Sequence, residues 1–219
     1  MIVVKVGGAV ADASAQAVLA LAAEHDVVVV HGAGPQITEE MERFGIPVEF
    51  VAGRRVTSEA GLAVVRSSLA AVNRALCAVL GPRALPLFGD EIGLHTVQVA
   101  SLGRVGDPLP SRPRAILDAL RAHRIPVVAP LGVGPLNVNA DEAAAALALG
   151  LGAQRLLFLT DVDGLILDGV VVDAIDAGAA RDLLDAGLLE GGIIPKLRAA
   201  VAAARDGVPA EIGRTAVTA

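Results

Sequence analysis

The sequence has no tryptophan, no tyrosine and only four phenylalanines in 219 residues, which removes the aromatic platforms on which nucleic-acid binders stack bases. It also lacks a basic excess: 18 Lys and Arg stand against 24 Asp and Glu, for a net charge of −6 and a pI near 5.2. A nucleic-acid backbone is therefore not the expected partner. The single cysteine, Cys77, cannot close an internal disulfide, and no signal sequence is read ahead of the first apolar run. A reducing, cytoplasmic setting is the expectation. Gly, Pro or charge breaks every apolar run before the roughly 18 residues a membrane span needs. No membrane partner is expected, although hydrophobic residues make up 54% of the chain and mean hydropathy is +0.62. The length suits one large domain, 1–219, with a substantial core.

What is present is a repeated pattern of short apolar run, glycines and helix. Ile2-Val3-Val4-Lys5-Val6 reads as a buried strand running into Gly7-Gly8. Lys5 stands out there, because a buried ammonium is costly unless paired. It either points into a site, with the glycines bringing backbone amides to an anion, or ends its strand and reaches solvent. Asp12 to Glu24 has helical spacing, with Asp12 or Ser14 as cap. Val27 to Val30 is a second strand ending in His31-Gly32-Ala33-Gly34, followed by a helix from Pro35 to Phe44 with proline in its first turn. His31, closing a buried strand, is read as a hydrogen-bonded structural residue rather than a proton carrier.

Gly53-Arg54-Arg55-Val56-Thr57 precedes a long helix, Ser58 to Leu80, for which Ser58 is a plausible cap. One of its two arginines could clamp a carboxylate in bidentate fashion, or both could be solvated. Ala84 to Phe88 is a third strand, and residues 89–108 read as hairpins lying over one end of the sheet. A helix from Arg112 to His123 leads to a fourth strand, Pro126 to Leu131, ending at Gly132 and Gly134. Asn137 and Asn139 then point the same way on an extended segment. Asn139 is also placed to cap the Ala/Leu helix Glu142 to Leu149, with Asp141 in its first turn. Arg155 to Thr160 is a fifth strand ending in Asp161-Val162-Asp163-Gly164. Asp168-Gly169 between apolar pairs predicts a tight hairpin. Helices are expected at Ala177 to Ala186 and Ile194 to Ala204, the second carrying Lys196 in its first turn against the helix dipole. Pro209 to Ile212 is the last strand expected.

Strands alternating with helices predict an α/β fold, a three-layer αβα sandwich around a mainly parallel sheet. Its ligand site should lie beyond the carboxyl ends of the strands. Polar or glycine-rich ends at Lys5-Gly7-Gly8, Gly32-Ala33-Gly34, Gly132-Gly134 and Thr160-Asp161 converge on that edge.

The ordered set Lys5-Val6-Gly7-Gly8, His31-Gly32-Ala33-Gly34-Pro35, Gly53-Arg54-Arg55-Val56-Thr57, Leu102-Gly103-Arg104-Val105-Gly106, Asn137-Val138-Asn139-Ala140-Asp141, Thr160-Asp161-Val162-Asp163-Gly164 and Gly191-Gly192-Ile193-Ile194-Pro195-Lys196 resembles the amino acid kinase family. Within it, the match is to the branch that phosphorylates N-acetylglutamate. The resemblance implies transfer of the γ-phosphoryl group of MgATP to a side-chain carboxylate, giving an acyl phosphate in arginine biosynthesis. By motif, Lys5 and Lys196 stabilise the transition state from different sides and Asp141 holds both. Gly7 and Gly8 offer amides to the ATP phosphates, with Thr160, Asp161, Asp163 and Gly164 on the nucleotide side. Gly32, Ala33 and Gly34 face the acceptor carboxylate; Arg55, with Asn137 and Asn139, grips the acceptor. Mg²⁺ is expected mainly on the ATP oxygens, with water between it and Asp141 and no direct protein ligand.

Ala33 departs from the glycine common in the family, and a left-handed conformation there would cost roughly 1 kcal/mol. Arg54 departs from a place often apolar in relatives and is read as meeting solvent, with tuning of the substrate as the alternative. The absence of an N-terminal helical extension in the sequence implies a homodimer without arginine feedback. The competing readings are a same-fold kinase acting on N-acetyl-aminoadipate or a carrier-linked glutamate or aminoadipate, and a non-catalytic binding relative.

Overall fold

The computed structural model of the protein describes residues 1–7, 11–160 and 162–219. The chain begins with strand Ile2–Val6 (β1), helix Ala11–Glu24 (α1), strand Val27–His31 (β2), helix Gly34–Arg43 (α2) and the two-residue strands Phe50–Val51 (β3) and Arg54–Arg55 (β4). Helix Glu59–Leu80 (α3), strand Ala84–Phe88 (β5), the turn of helix Gly89–Ile92 (α4), strands Thr96–Gln98 (β6) and Gly106–Pro108 (β7), and helix Arg114–Arg121 (α5) follow. Strands Ile125–Ala129 (β8), Leu131–Gly132 (β9) and Leu136–Asn137 (β10) lead to helix Ala140–Leu151 (α6) and strand Arg155–Leu159 (β11). The remainder is strands Ile166–Leu167 (β12), Val170–Val171 (β13) and Ala174–Asp176 (β14), helices Ala177–Asp185 (α7) and Ile193–Arg205 (α8), and strands Ala210–Ile212 (β15) and Thr215–Thr218 (β16).

One eight-stranded sheet, in the order β14-β16-β15-β11-β1-β2-β8-β5, runs through the molecule. From β15 to β5 every pairing is parallel. β1, β2 and β8 are buried at every residue, which is why they are runs of Val and Ile rather than alternating patterns: helices cover both faces. The side-chain period of two sorts β1 cleanly. Ile2, Val4 and Val6 pack with Ala15, Val18 and Ala22 of α1 and Leu76 and Leu80 of α3. Val3 packs on the opposite face, with the alanines of α6 and α8. Lys5 shares the face of Val3.

The expected α/β sandwich is thus the observed one, with one addition. The chain does not stop pairing at Ile212: it turns back at Gly213 so that β16 lies antiparallel to β15, and β14 adds outside it. These edge strands are three or four residues long, too short for a clear period-two signal. Ser14 and Asp12 lie inside α1 rather than at its cap. Ser58 does cap α3, accepting from the Gly61 amide at 3.0 Å. α3 is long and apolar enough to cross a membrane by composition; its Leu62, Val65, Leu69, Leu76 and Leu80 are buried against the rest of the fold.

Candidate active site

Because β1, β2 and β11 pair in register, Lys5 opposite Val30 and Phe158, their carboxyl ends fall level. Lys5 is the last but one residue of β1, and its face of the sheet is the one α6 covers. Asp141, in the first turn of α6, is 5% exposed and Lys5 is 7% exposed. Lys5 Nζ lies 2.9 Å from Asp141 Oδ1, an electrostatic contact without the alignment of a hydrogen bond. Two buried charges of opposite sign compensate one another's desolvation, whereas either alone would not be tolerated. Lys5 therefore points into a site, and the alternative in which it reaches solvent is excluded.

The pair forms the floor of a cleft of about 270 Å³ lined by the His-Gly turn, the β3–β4 hairpin and the Asn137–Asp141 segment. On one wall, α2 begins at Gly34 with Pro35 in its first turn and no side-chain cap, and Gly34, Pro35 and Ile37 line the cleft; a helix start favours an anion. Ala33 precedes it with φ −147°, so the alanine is not left-handed and carries no penalty. Ala33 and Gly34 line the cleft with Gly32.

Arg55 reaches the same wall from the β3–β4 hairpin. Its side chain is buried, donating from Nη2 to Thr38 Oγ1 at 2.7 Å and to the Gly34 carbonyl at 3.1 Å. The Phe50 ring lies 4.6 Å from its Cζ, a favourable stacking of cation on aromatic face. None of the contacts that Arg55 makes among the described residues is to a carboxylate, and burial holds its guanidinium below the usual arginine range. A buried cation with neutral partners beside a cleft is a site for an incoming anion.

Asn137 and Asn139 both line the cleft, as their alternation on an extended segment predicts, but neither amide is idle. Asn137 Nδ2 donates to Thr57 Oγ1 at 3.0 Å, and that hydroxyl donates to the Arg55 carbonyl at 2.8 Å. Asn139 Oδ1 caps α6, accepting from the amides of Asp141 and Glu142 at 2.8 and 3.3 Å, and its Nδ2 reaches the Gly53 carbonyl at 3.4 Å.

Arg54 corrects the sequence expectation: its side chain is only 24% exposed and is ion-paired rather than free in solvent. Its Nε and Nη2 each lie 3.0 Å from Glu142 Oε1, and Nη2 also contacts Asp107 Oδ1. Burial raises the Glu142 carboxyl above its ordinary range, and Arg54 opposes that shift. His31 behaves as the structural residue expected of it. It is 1% exposed, takes an Nε2 contact from Asn73 at 3.0 Å and an Nδ1 contact to the Gly32 carbonyl at 3.3 Å, and burial pushes its imidazole down to about 4.

The remaining candidates are not on the described lining of this cleft. Lys196, half-buried in the first turn of α8, donates to the Gly192 carbonyl at 3.2 Å. Gly7 follows β1 directly. Thr160 lines a second hollow of about 260 Å³ with Ser14 and Gly213. Asp163 accepts at its carbonyl from the Arg214 amide at 2.7 Å. Gly164 borders an apolar cavity of about 420 Å³ with Leu165, Ile166, Leu188, Leu189 and Ile193. Gly8 and Asp161 lie outside the described residues.

The model of the amino acid kinase family matches this chain over residues 1–214. The chain belongs to the amino acid kinase family. Its relatives within that family include the acetylglutamate kinase of Rubrobacter xylanophilus, 43% identical over 96% of this chain and 87% of that protein. The acetylglutamate kinase of Geobacillus kaustophilus is 38% identical over 95% of this chain and 87% of its own length. A crystal structure from Streptococcus mutans UA159, 30% identical, superposes with a TM-score of 0.89 and covers 99% of this chain and 98% of that one. The contacts around Arg55 also show what a residue-level reading passes over. Phe50, Thr38 and Thr57 support Arg55, yet only Phe50 stands out in the sequence, as one of four aromatics.

Proposed function

We propose that this chain moves the γ-phosphoryl group of ATP onto the side-chain carboxylate of N-acetyl-L-glutamate, forming an acyl phosphate in arginine biosynthesis. The observation that carries the reading is the buried Lys5–Asp141 pair at the floor of a cleft whose wall presents Arg55 with no acidic partner among the described residues. That the relatives in Rubrobacter and Geobacillus are acetylglutamate kinases supports the choice of acceptor. A carboxylate acceptor is ionised at neutral pH and needs no general base. In keeping with that, the titratable side chains on the described lining are Lys5, Arg54, Arg55 and Asp141, and the nearby histidine is sealed away.

MgATP supplies the phosphoryl group, with Mg²⁺ held mainly by its own phosphates. The chain supplies position and charge, which is most of what phosphoryl transfer asks of a protein. Lys5 offers a fixed cation to the oxygens that gain charge, and Asp141 keeps that cation on the sheet face where the cleft opens. Lys196 approaches from the start of α8. The amides at Ala33 and Gly34, beside Gly32, receive the reacting carboxylate, and Arg55 holds the other carboxylate with Asn137 and Asn139 beside it. Gly7, Thr160, Asp163 and Gly164 serve the nucleotide side, where the cavity bordered by Gly164 suits a purine ring; Gly8 and Asp161, outside the described residues, are assigned there by their motifs alone. The acceptor half is thus N-terminal and the nucleotide half C-terminal within one domain.

A carrier-linked acceptor asks for an open basic rim. Arg54 is neutralised by Glu142 and Asp107, and Arg104 by Glu59, which favours a free small molecule. The test is ADP release from MgATP by the purified protein, with N-acetylglutamate, N-acetylaminoadipate and glutamate supplied separately and the product trapped as a hydroxamate. Activity with N-acetylglutamate alone is the expected result; equal or better turnover of another acceptor, or none at all, overturns the reading.

A further inference from the structure

The β3–β4 hairpin carries Arg55, and successive residues of a strand face opposite ways. Arg55 turns its guanidinium toward α2; Arg54, which also borders the cleft, turns its own toward Glu142 of α6 and Asp107 of β7. There Arg54 makes a fork. Nε and Nη2 converge on Glu142 Oε1, one residue beyond Asp141, and Nη2 also reaches Asp107 on the β6–β7 hairpin. A second tie lies at the hairpin tip, where Asn139 Nδ2 approaches the Gly53 carbonyl. The tip itself is a two-residue turn with Ala52 at φ 50° and Gly53 at φ 82°. Such a short hairpin has little packing of its own, and Phe50 and Val51 are 54% and 45% exposed.

We propose that Arg54 is a positioning residue that clamps the acceptor-gripping hairpin to the helix bearing Asp141, so that Arg55 is held at its station before the acceptor arrives. The inference rests on the acceptor reading above. The fork is what makes a guanidinium necessary: a lysine ammonium is a point charge and cannot span Glu142 and Asp107 with the same geometry. Without the clamp the hairpin must be ordered when the acceptor binds, which weakens ground-state binding while leaving the chemistry of the bound complex intact.

The experiment compares the unaltered protein with Arg54→Met and Arg54→Lys. Arg54→Met should raise the KM for N-acetylglutamate about tenfold, the scale of one charged hydrogen bond, with kcat and the KM for ATP changed less than about twofold. Arg54→Lys should recover little of the loss. Amide exchange, read without any substrate, should speed up at Val56, whose amide bonds the Glu49 carbonyl at 3.0 Å across the hairpin, and stay unchanged in the central strands. The proposal is overturned if the acceptor KM and the Val56 exchange rate both stay within twofold, if Lys restores them fully, or if exchange rises throughout the sheet. Should Arg54→Met fail to fold, Arg54→Lys and Glu142→Gln, which keep a hydrogen-bonding side chain, are measured in the same way. If the unaltered protein turned over none of the acceptors, the functional reading would fall, and Val56 exchange would still decide on the clamp.

Discussion

At the scale of single residues, the chain spends its charges unevenly. Sixteen of its cations are arginines and only Lys5 and Lys196 are lysines; most of the arginines with ion pairs sit on exposed acidic partners, where such pairs contribute little. Both lysines were legible in the sequence because each sits badly for a structural role, one inside a strand and one at the positive end of a helix. Arg54 was not legible, since its partners lie 53 and 88 residues away. Lys196→Ala should lower kcat by about 10²–10³, as loss of one preorganised charge does. Arg55→Ala should instead raise the acceptor KM by about tenfold or more with a smaller change in kcat. Steady-state kinetics separates the two. His31 makes a pH prediction. Its folded value near 4 lies below the unfolded value, so the unfolded chain takes up the proton first as pH falls. Stability is present in full above about pH 6.5 and is lost toward pH 4, by up to about 3 kcal/mol. Denaturant titrations at pH 7.5 and 4.5 should show this loss reduced in His31→Gln.

Among the elements, the start of α6 does two jobs at once. Asn139 caps it and ties it to the hairpin tip, and the first turn then delivers Asp141 to Lys5 and Glu142 to Arg54. Asn139→Ala removes the cap, and the unfolding free energy should fall by about 1 kcal/mol; the acceptor KM should rise in the same variant, a pairing that an ordinary capping loss elsewhere, such as Ser58→Ala on α3, should not produce. Long helices and buried strands were readable to within a residue or two, because their periodicity and caps are local. β14 and β16 were not, since short edge strands take their conformation from the neighbour they pair with. The Asp168-Gly169 hairpin was readable because both residues need positive φ, and both have it, 49° and 80°.

For the molecule as a whole, the central strand decides how the halves behave. β1 is the first strand in sequence, yet it sits between β2 and β11, pairing Ile2 to Val6 with Arg155 to Leu159. The N-terminal and C-terminal halves therefore share one sheet and, on the α6–α8 face, one core. A single cooperative unfolding transition is expected, coincident by circular dichroism and by hydrogen exchange of β2 and β15; two separated transitions would show that the halves are independent. The long sequence separation across β1 and β11 also predicts slow folding. The stack of Phe50 on Arg55 has a further, optical consequence. In a protein with no indole or phenol side chain, exchanging this half-exposed ring for tryptophan would install one emitter beside the acceptor cleft, and its quenching or brightening on addition of N-acetylglutamate would be read against a dark background.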